Sequence, residues 1–223
     1  MLMTGLAVSI VVSALLTIRT AYGATRRWFY LFKPLTTSLI LLAALITPAW
    51  LSNRYAPLVA AGLTFSLAGD IFLMLSDKRF IWGLASFLVA HLCTILAFTA
   101  RAGFRESPWI SLPFITAGAV IVAQIASRAR GLRWPATLYA LVLVAMAWRA
   151  CATWAVLGSL PALLAMVGAG LFVVSDTLLA INRFVRRFSV AQVLVLGTYY
   201  AAQALIAWST WPANWPVFWA HSP

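Results

Sequence analysis

Apolar segments of about twenty residues, separated by short basic links, recur along the whole of this 223-residue chain. A helix needs about 20 apolar residues to cross a bilayer core. Such segments fall at residues 5–21, 31–50, 57–75, 81–100, 109–127, 135–157, 161–181 and 189–211. Segments of this length must satisfy their own backbone in lipid, and only helices do so. The predicted fold class is therefore all-α: a polytopic membrane bundle of eight transmembrane helices, with residues 1–223 forming one transmembrane domain. Charged residues make up 9% of the chain, against roughly 25% in soluble domains. The first segment has no basic stretch before it and reads as a spanning helix rather than a removed signal peptide.

The net charge of +12 raises nucleic-acid binding, but the cations are not gathered in one arm or helix, so no nucleic-acid partner is expected. They alternate with the apolar segments instead. Links after the first, third, fifth and seventh spans hold Arg19, Arg26, Arg27, Lys33, Lys78, Arg79, Arg128, Arg130, Arg133, Arg183, Arg186 and Arg187. The other side holds Arg54, Arg101 and Arg105. Twelve against three is a positive-inside signal that puts both termini outside the cytoplasm. Trp208, Trp211, Trp215 and Trp219 suit the outer interface, and Arg149, inside the sixth span, is expected to snorkel outward.

Two of the four acids lie inside apolar runs: Asp70 in Leu67-Ala68-Gly69-Asp70-Ile71-Phe72, and Asp176 in Val173-Val174-Ser175-Asp176-Thr177-Leu178. An ionised carboxylate in hydrocarbon is costly, and such acids ordinarily face a polar cavity and act there. The bland alternative is a structural role, each acid bonded to Thr, Tyr or Lys. Other polar residues gather at the same end of the spans: Lys33 with Thr36 and Thr37, His91, Tyr139, and Gln192, Tyr199 and Gln203 on one face of the last span. These too would serve as plain helix bridges. Gly62 and Ser66, at four-residue steps before Asp70, form a small-residue edge suited to close packing.

Lys33 to Asp70 and Tyr139 to Asp176 are both 37 positions, and a shift of 106 carries the second to fourth spans onto the sixth to eighth. This spacing admits a 4+4 parallel repeat, with its axis along the membrane normal and the two acids at equal depth.

Metal and haem chemistry are not indicated. His91 and His221 are the only histidines, and an ion shared by Asp70, Asp176 and His91 has no support in the spacing. No Gly-x-Ser-x-Gly elbow marks a serine hydrolase. Cys93 and Cys151 lie in apolar segments and read as small buried hydrophobes.

Several stretches, taken in order, carry a resemblance: Lys33-Pro34-Leu35-Thr36-Thr37, Ala68-Gly69-Asp70-Ile71-Phe72-Leu73-Met74-Leu75, and Phe80-x-x-Gly83-x-x-x-Phe87-x-x-Ala90-His91. Tyr139, Phe172-Val173-Val174-Ser175-Asp176 and Thr198-Tyr199-Tyr200-Ala201-Ala202-Gln203 come after them. The ordered set resembles the YhhN-type lysoplasmalogenase family of integral membrane proteins. Thr94 stands where that family often has a Tyr.

The resemblance implies a bacterial inner-membrane hydrolase with a lysophospholipid substrate and no cofactor. It would cleave the vinyl-ether bond of a lysoplasmalogen to a fatty aldehyde and a glycerophospho-ethanolamine or glycerophospho-choline. Asp70, Asp176 and His91 would be catalytic; Lys33, Thr37, Tyr139, Tyr199 and Gln203 would bind substrate, with Lys33 meeting the phosphate. The chemistry needs a proton donor, and burial favours the neutral form of a carboxyl. Paired acids in unlike environments divide such work, although the sequence does not say which Asp takes which part. A second class stays open: a small transporter or lipid-binding membrane protein using the same acids as a proton relay.

Overall fold

In a computed structural model the described residues are 2–23, 26–51, 53–75, 77–104, 108–116, 118–120 and 133–212. Seven long helices are built from them: α1 (Leu2–Ala21), α2 (Arg26–Leu45), α3 (Tyr55–Leu75), α4 (Phe80–Ala102), α5 (Arg133–Leu157), α6 (Leu160–Ala180) and α7 (Ala191–Trp208). All seven are long and apolar enough to cross a membrane. No strand occurs among the described residues. The chain is thus an all-α polytopic membrane bundle. The segment expected at 109–127 lies partly outside the described residues; its described part is a 3₁₀ turn, Pro108–Ser111, and helical residues 112–116 and 118–120.

Helix ends reflect the local chemistry. Pro48 disfavours helical backbone at Thr47, and α2 stops at Leu45, short of the expected 50. The same helix begins earlier than expected, at Arg26, which leaves Pro34 in its interior. There the ring removes one backbone hydrogen bond, next to Lys33. Gly103 and Gly158 close α4 and α5 at φ of 66° and 57°, a region open to glycine. A π turn, Ile181–Val185, extends α6 beyond Ala180.

Small residues set the packing. Ala44, Ala97, Ala165, Ala202 and Ala207 have no exposed surface, as in membrane interfaces where backbones approach closely. The expected small-residue edge of α3 faces α4: a Cβ on Gly62 would lie 3.0 Å from the Ala90 carbonyl oxygen. That contact fixes the face of α3 on which Asp70 also sits. Helix α6 packs in the same way along α7, and α4 lies beside α5. The latter two run parallel, since His91, midway along α4, meets Tyr139 in the first third of α5, and Arg149, later in α5, meets Thr99 and the Gly103 carbonyl at the end of α4.

Two expectations are corrected at the end remote from the acids. Arg149 does not snorkel: it is 1% exposed. Its guanidinium donates to Thr99 Oγ1 and the Gly103 carbonyl and lies over the Phe104 ring. Those partners satisfy the charge where it is, so it has no need to reach an interface. Trp211 is likewise buried rather than interfacial, its indole N–H donating to the Ala43 carbonyl at 3.0 Å. Trp215, Trp219 and His221 lie outside the described residues.

Around Trp211 this end is tied shut by Tyr55 to Ser209 at 2.6 Å, Arg101 to the Ser209 carbonyl at 3.0 Å, and Thr47 to the Thr210 carbonyl at 3.0 Å.

The α6–α7 contact gives a direct stability test. A Cβ on Gly168 would meet the Ala202 carbonyl oxygen and Ile206 Cγ1, both at 2.9 Å, whereas Gly170 has nothing within 4 Å. Gly168→Ala should therefore lower the unfolding temperature in detergent by several degrees, from an overpacking cost of about 1–3 kcal/mol. Gly170→Ala should match or exceed wild type. Equal behaviour of the two variants would contradict the close approach.

Candidate functional site

Each buried acid is satisfied by donors brought from other helices. Asp70 projects from the Gly62–Ser66 face of α3 into the bundle and is 1% exposed. Lys33 of α2 places Nζ 3.1 Å from Asp70 Oδ1. Thr37, one turn further along α2, donates to Oδ2 at 2.6 Å, and Tyr199 of α7 donates to the same oxygen at 2.8 Å. One carboxylate thus holds an ammonium and two hydroxyls. Lys33 is itself buried and aims its charge at Asp70 rather than at the interface. Thr36 faces the other way, hydrogen-bonding Ser13 of α1 at 2.7 Å.

The second cluster has the same plan with different chemistry. Tyr139 of α5 donates its hydroxyl to Asp176 Oδ2 on α6. His91 of α4 lies with Nε2 3.0 Å from the Tyr139 oxygen and 3.7 Å from Asp176 Oδ2. Because the Tyr139 hydrogen is directed at Asp176, the contact with His91 needs a hydrogen on Nε2. The Asp176 side chain is 13% exposed, against 2% for Asp70. Asp176 is therefore the more accessible carboxylate.

Aromatic rings separate the clusters. Phe172, one turn before Asp176, packs edge-on against His91 at 4.7 Å and against Tyr199 at 5.5 Å between centroids. Phe87, one turn before His91, makes a similar contact with Tyr199 at 5.9 Å. Sequence reasoning misses this role: both phenylalanines look like ordinary core residues, and only their one-turn offset from His91 and Asp176 marks them.

Two spaces adjoin the clusters. A cavity of about 10 Å³ is lined by His91, Ser66, Thr94, Phe172 and Gln203 among others, which is room for about one water. Gln203 is 2% exposed, and its Nε2 has no hydrogen-bond partner among the described residues. The larger space is an apolar groove of about 500 Å³ between α4 and α5, lined by Ile81, Leu84, Leu88, Trp134, Leu138 and Tyr139. Tyr139 thus borders the groove while holding Asp176. Among the described residues no three His, Cys, Asp or Glu side chains converge as metal ligands.

The expected site residues therefore fall into Lys33, Thr37, Asp70 and Tyr199 on one side of Phe172 and His91, Tyr139 and Asp176 on the other, with Gln203 at the small cavity.

The Lys33–Asp70 pair makes a prediction of its own. Removing one member of a buried ion pair strands the other charge, at about 3–5 kcal/mol, whereas replacing both with apolar groups is often near neutral. Lys33→Met should thus lower thermal stability in detergent more than the double change Lys33→Met with Asp70→Leu. A single variant as stable as wild type would show that the pair does not hold the bundle.

The chain is similar to known proteins over most of its length. The model of the YhhN family matches residues 28–210. The membrane protein YhhN of Escherichia coli O157:H7 is 31% identical over 201 residues, covering 89% of this chain and 95% of that protein. Lysoplasmalogenase TMEM86A of Bos taurus is 32% identical over 172 residues, 75% of this chain and 70% of the relative. A lysoplasmalogenase of Mycobacterium tuberculosis is 31% identical over 183 residues, 78% and 67% of the two chains. No solved structure matches. With a family model spanning most of the sequence and relatives of near-equal length, this chain is a member of the YhhN family.

Proposed function

We propose that this protein is a membrane ether-bond hydrolase that cleaves the vinyl-ether bond of a lysoplasmalogen. The observation that carries the reading is the double position of Tyr139, which lines the apolar groove and donates to the accessible carboxylate Asp176. A groove of this volume lies within the range of lipid and drug-sized ligand sites. It sits beside a proton-carrying group, and relatives named lysoplasmalogenase are 32% and 31% identical to the chain over 172 and 183 residues.

In this reading the alkenyl chain lies along the exposed apolar faces of α4 and α5, with its enol-ether carbons at Tyr139, His91 and Asp176. A proton passes to the β-carbon of the double bond and leaves an oxocarbenium ion at the carbon bearing oxygen. Asp176 supplies that proton, and its resulting carboxylate stabilises the cation. Water held in the small cavity beside His91 adds to the cationic carbon while His91 takes its proton. The hemiacetal then collapses: its hydroxyl proton returns to the site, the carbon–oxygen bond to glycerol breaks, and the glycerol oxygen takes a proton. One water is consumed, giving a fatty aldehyde and a glycerophospho-alcohol. Asp70 keeps Lys33, Thr37 and Tyr199 in place on the far side of Phe172 and steadies the Tyr199 ring against it.

The competing transporter reading requires access from both ends of the bundle. The ties among Tyr55, Arg101, Ser209, Thr47 and Thr210 at the remote end disfavour it.

The finer topology belongs to the same proposal. The expected fifth span is proposed as an eighth crossing, a reading that the parallel course of α4 and α5 supports. Lys33–Asp70 and Tyr139–Asp176 pair with the same 37-residue spacing, as a 4+4 repeat demands. In the same proposal the acid-bearing end lies at the cytoplasmic side of a bacterial inner membrane with both termini outside, a reading that the basic links support.

The test is aldehyde release by purified protein in detergent. Wild type should release aldehyde from a lysoplasmalogen, and Asp176→Asn should reduce turnover by about 10²–10⁴, the range for a general acid–base group. Asp70→Asn should combine a smaller loss of turnover with lower thermal stability. A folded Asp176→Asn variant with more than about a tenth of wild-type turnover would rule out Asp176 as the proton donor.

A further inference from the structure

Gln203 of α7 is buried with its hydrogen-bonding capacity only partly used. It is 2% exposed, and its side-chain Nε2 has no hydrogen-bond partner among the described residues. An amide nitrogen donates twice. The Tyr199 hydroxyl, one turn earlier on α7, lies near enough to interact with the amide, but one oxygen takes at most one of those hydrogens. A buried donor left unpaired is costly, so the amide calls for an acceptor inside the bundle.

The small cavity offers a place for that acceptor. Gln203 lines it together with Ser66, His91, Thr94, Met146 and Phe172, among others, around a volume of about 10 Å³. That is room for about one water, and a buried water needs about two to four polar partners. Thr94 gives its hydroxyl hydrogen to the Ala90 carbonyl at 2.9 Å, which leaves its oxygen able to accept. Ser66 brings a second hydroxyl from α3. His91 brings a basic nitrogen. Its Nε2 carries a hydrogen towards the Tyr139 oxygen, 3.0 Å away, so in the neutral imidazole Nδ1 holds the lone pair.

We infer that Gln203 binds a single water in this cavity and positions it, beside His91, as the water that the hydrolysis consumes. This rests on the hydrolase reading of the same site. In that step the water oxygen bonds to the cationic carbon and one of its protons passes to His91. Gln203 donates to one lone pair of the water, while His91 and Thr94 accept its hydrogens. The second lone pair is then left for the carbon. Gln203 in this role contacts water, not the lipid expected from the sequence.

Hydroxyl-radical labelling detects such a water without relying on turnover. A brief X-ray pulse makes radicals from water in place, and a buried side chain is oxidised where water touches it. Met146 is the reporter, because it lines the cavity and is 1% exposed, and thioethers oxidise readily. Wild type, Gln203→Leu and the nearly isosteric Gln203→Met are purified in detergent, checked for unfolding temperature and labelled. Peptide sequencing by mass spectrometry reads Met146 separately from position 203. Met146 should be oxidised in wild type and about fivefold more slowly in the variants, once no amide holds the water. Gln203→Met decides the matter if the leucine variant does not fold. In aldehyde release the folded variants should lose about tenfold in kcat with KM changed less than about twofold, because the lost contact is to water.

No oxidation of Met146 in wild type would mean a dry cavity and overturn the inference. Equal oxidation in wild type and variants would overturn it as well, since Gln203 would not be what holds the water. Lost labelling with unchanged kcat would leave a structural water only, and a raised KM at constant kcat would return Gln203 to the lipid; either result rejects the assigned role. If wild type releases no aldehyde the hydrolase reading falls, while the labelling still decides whether Gln203 binds a water.

Discussion

Everything in this bundle depends on how two carboxylates are satisfied away from water. Asp70 and Asp176 sit on helices whose other faces meet lipid or apolar packing, and a carboxylate in that setting must find donors within the protein. Each finds them on neighbouring helices. Asp70 draws Lys33 and Thr37 from α2 and Tyr199 from α7. Asp176 draws Tyr139 from α5 and has His91 of α4 beside it. The acids thereby fix which helices meet and at what rotation, and the small residues of α3 and α6 allow the close contact this requires.

The two clusters differ in a way that matches a division of labour. Asp70 holds a cation and two hydroxyls and is almost wholly enclosed, which suits a residue that organises its surroundings. Asp176 meets a hydroxyl and an imidazole, both able to pass protons, and is the more exposed of the two. The groove and the one-water cavity both adjoin this second cluster. Phe172 separates the environments while touching a ring in each, so His91 and Tyr199 are set against the same phenyl group.

Much of this is legible in the sequence, and the losses have a common cause. Hydropathy and charge give the depth of a residue along the membrane normal, so the seven long helices and the shared end of the polar residues are both readable. They do not give the direction in which a side chain points around its helix. The equal spacings from Lys33 to Asp70 and from Tyr139 to Asp176 anticipate two pairs. That each acid also meets a residue from a distant part of the chain, Tyr199 at Asp70 and His91 at Asp176, is a matter of rotation and cannot be read. The depth of Lys33 suits a phosphate and an acid alike, and only its direction around α2 shows that it pairs with Asp70. Arg149 looks like a residue reaching for the interface, because the Thr99 hydroxyl and Gly103 carbonyl that satisfy it belong to another part of the chain.

The central claim is that this site delivers a proton to the β-carbon of a vinyl ether, and the glycerol product records whether it does. The measurement is turnover of a lysoplasmalogen by the purified protein in water enriched in oxygen-18, with the released glycerophospho-alcohol weighed by mass spectrometry. Protonation of the β-carbon leaves the cation on the carbon bearing oxygen, so the oxygen of water enters the aldehyde and the account predicts a glycerophospho-alcohol without the label. Label in the glycerophospho-alcohol would contradict it, because water would then have attacked the glycerol carbon and expelled an enol without protonation of the alkene.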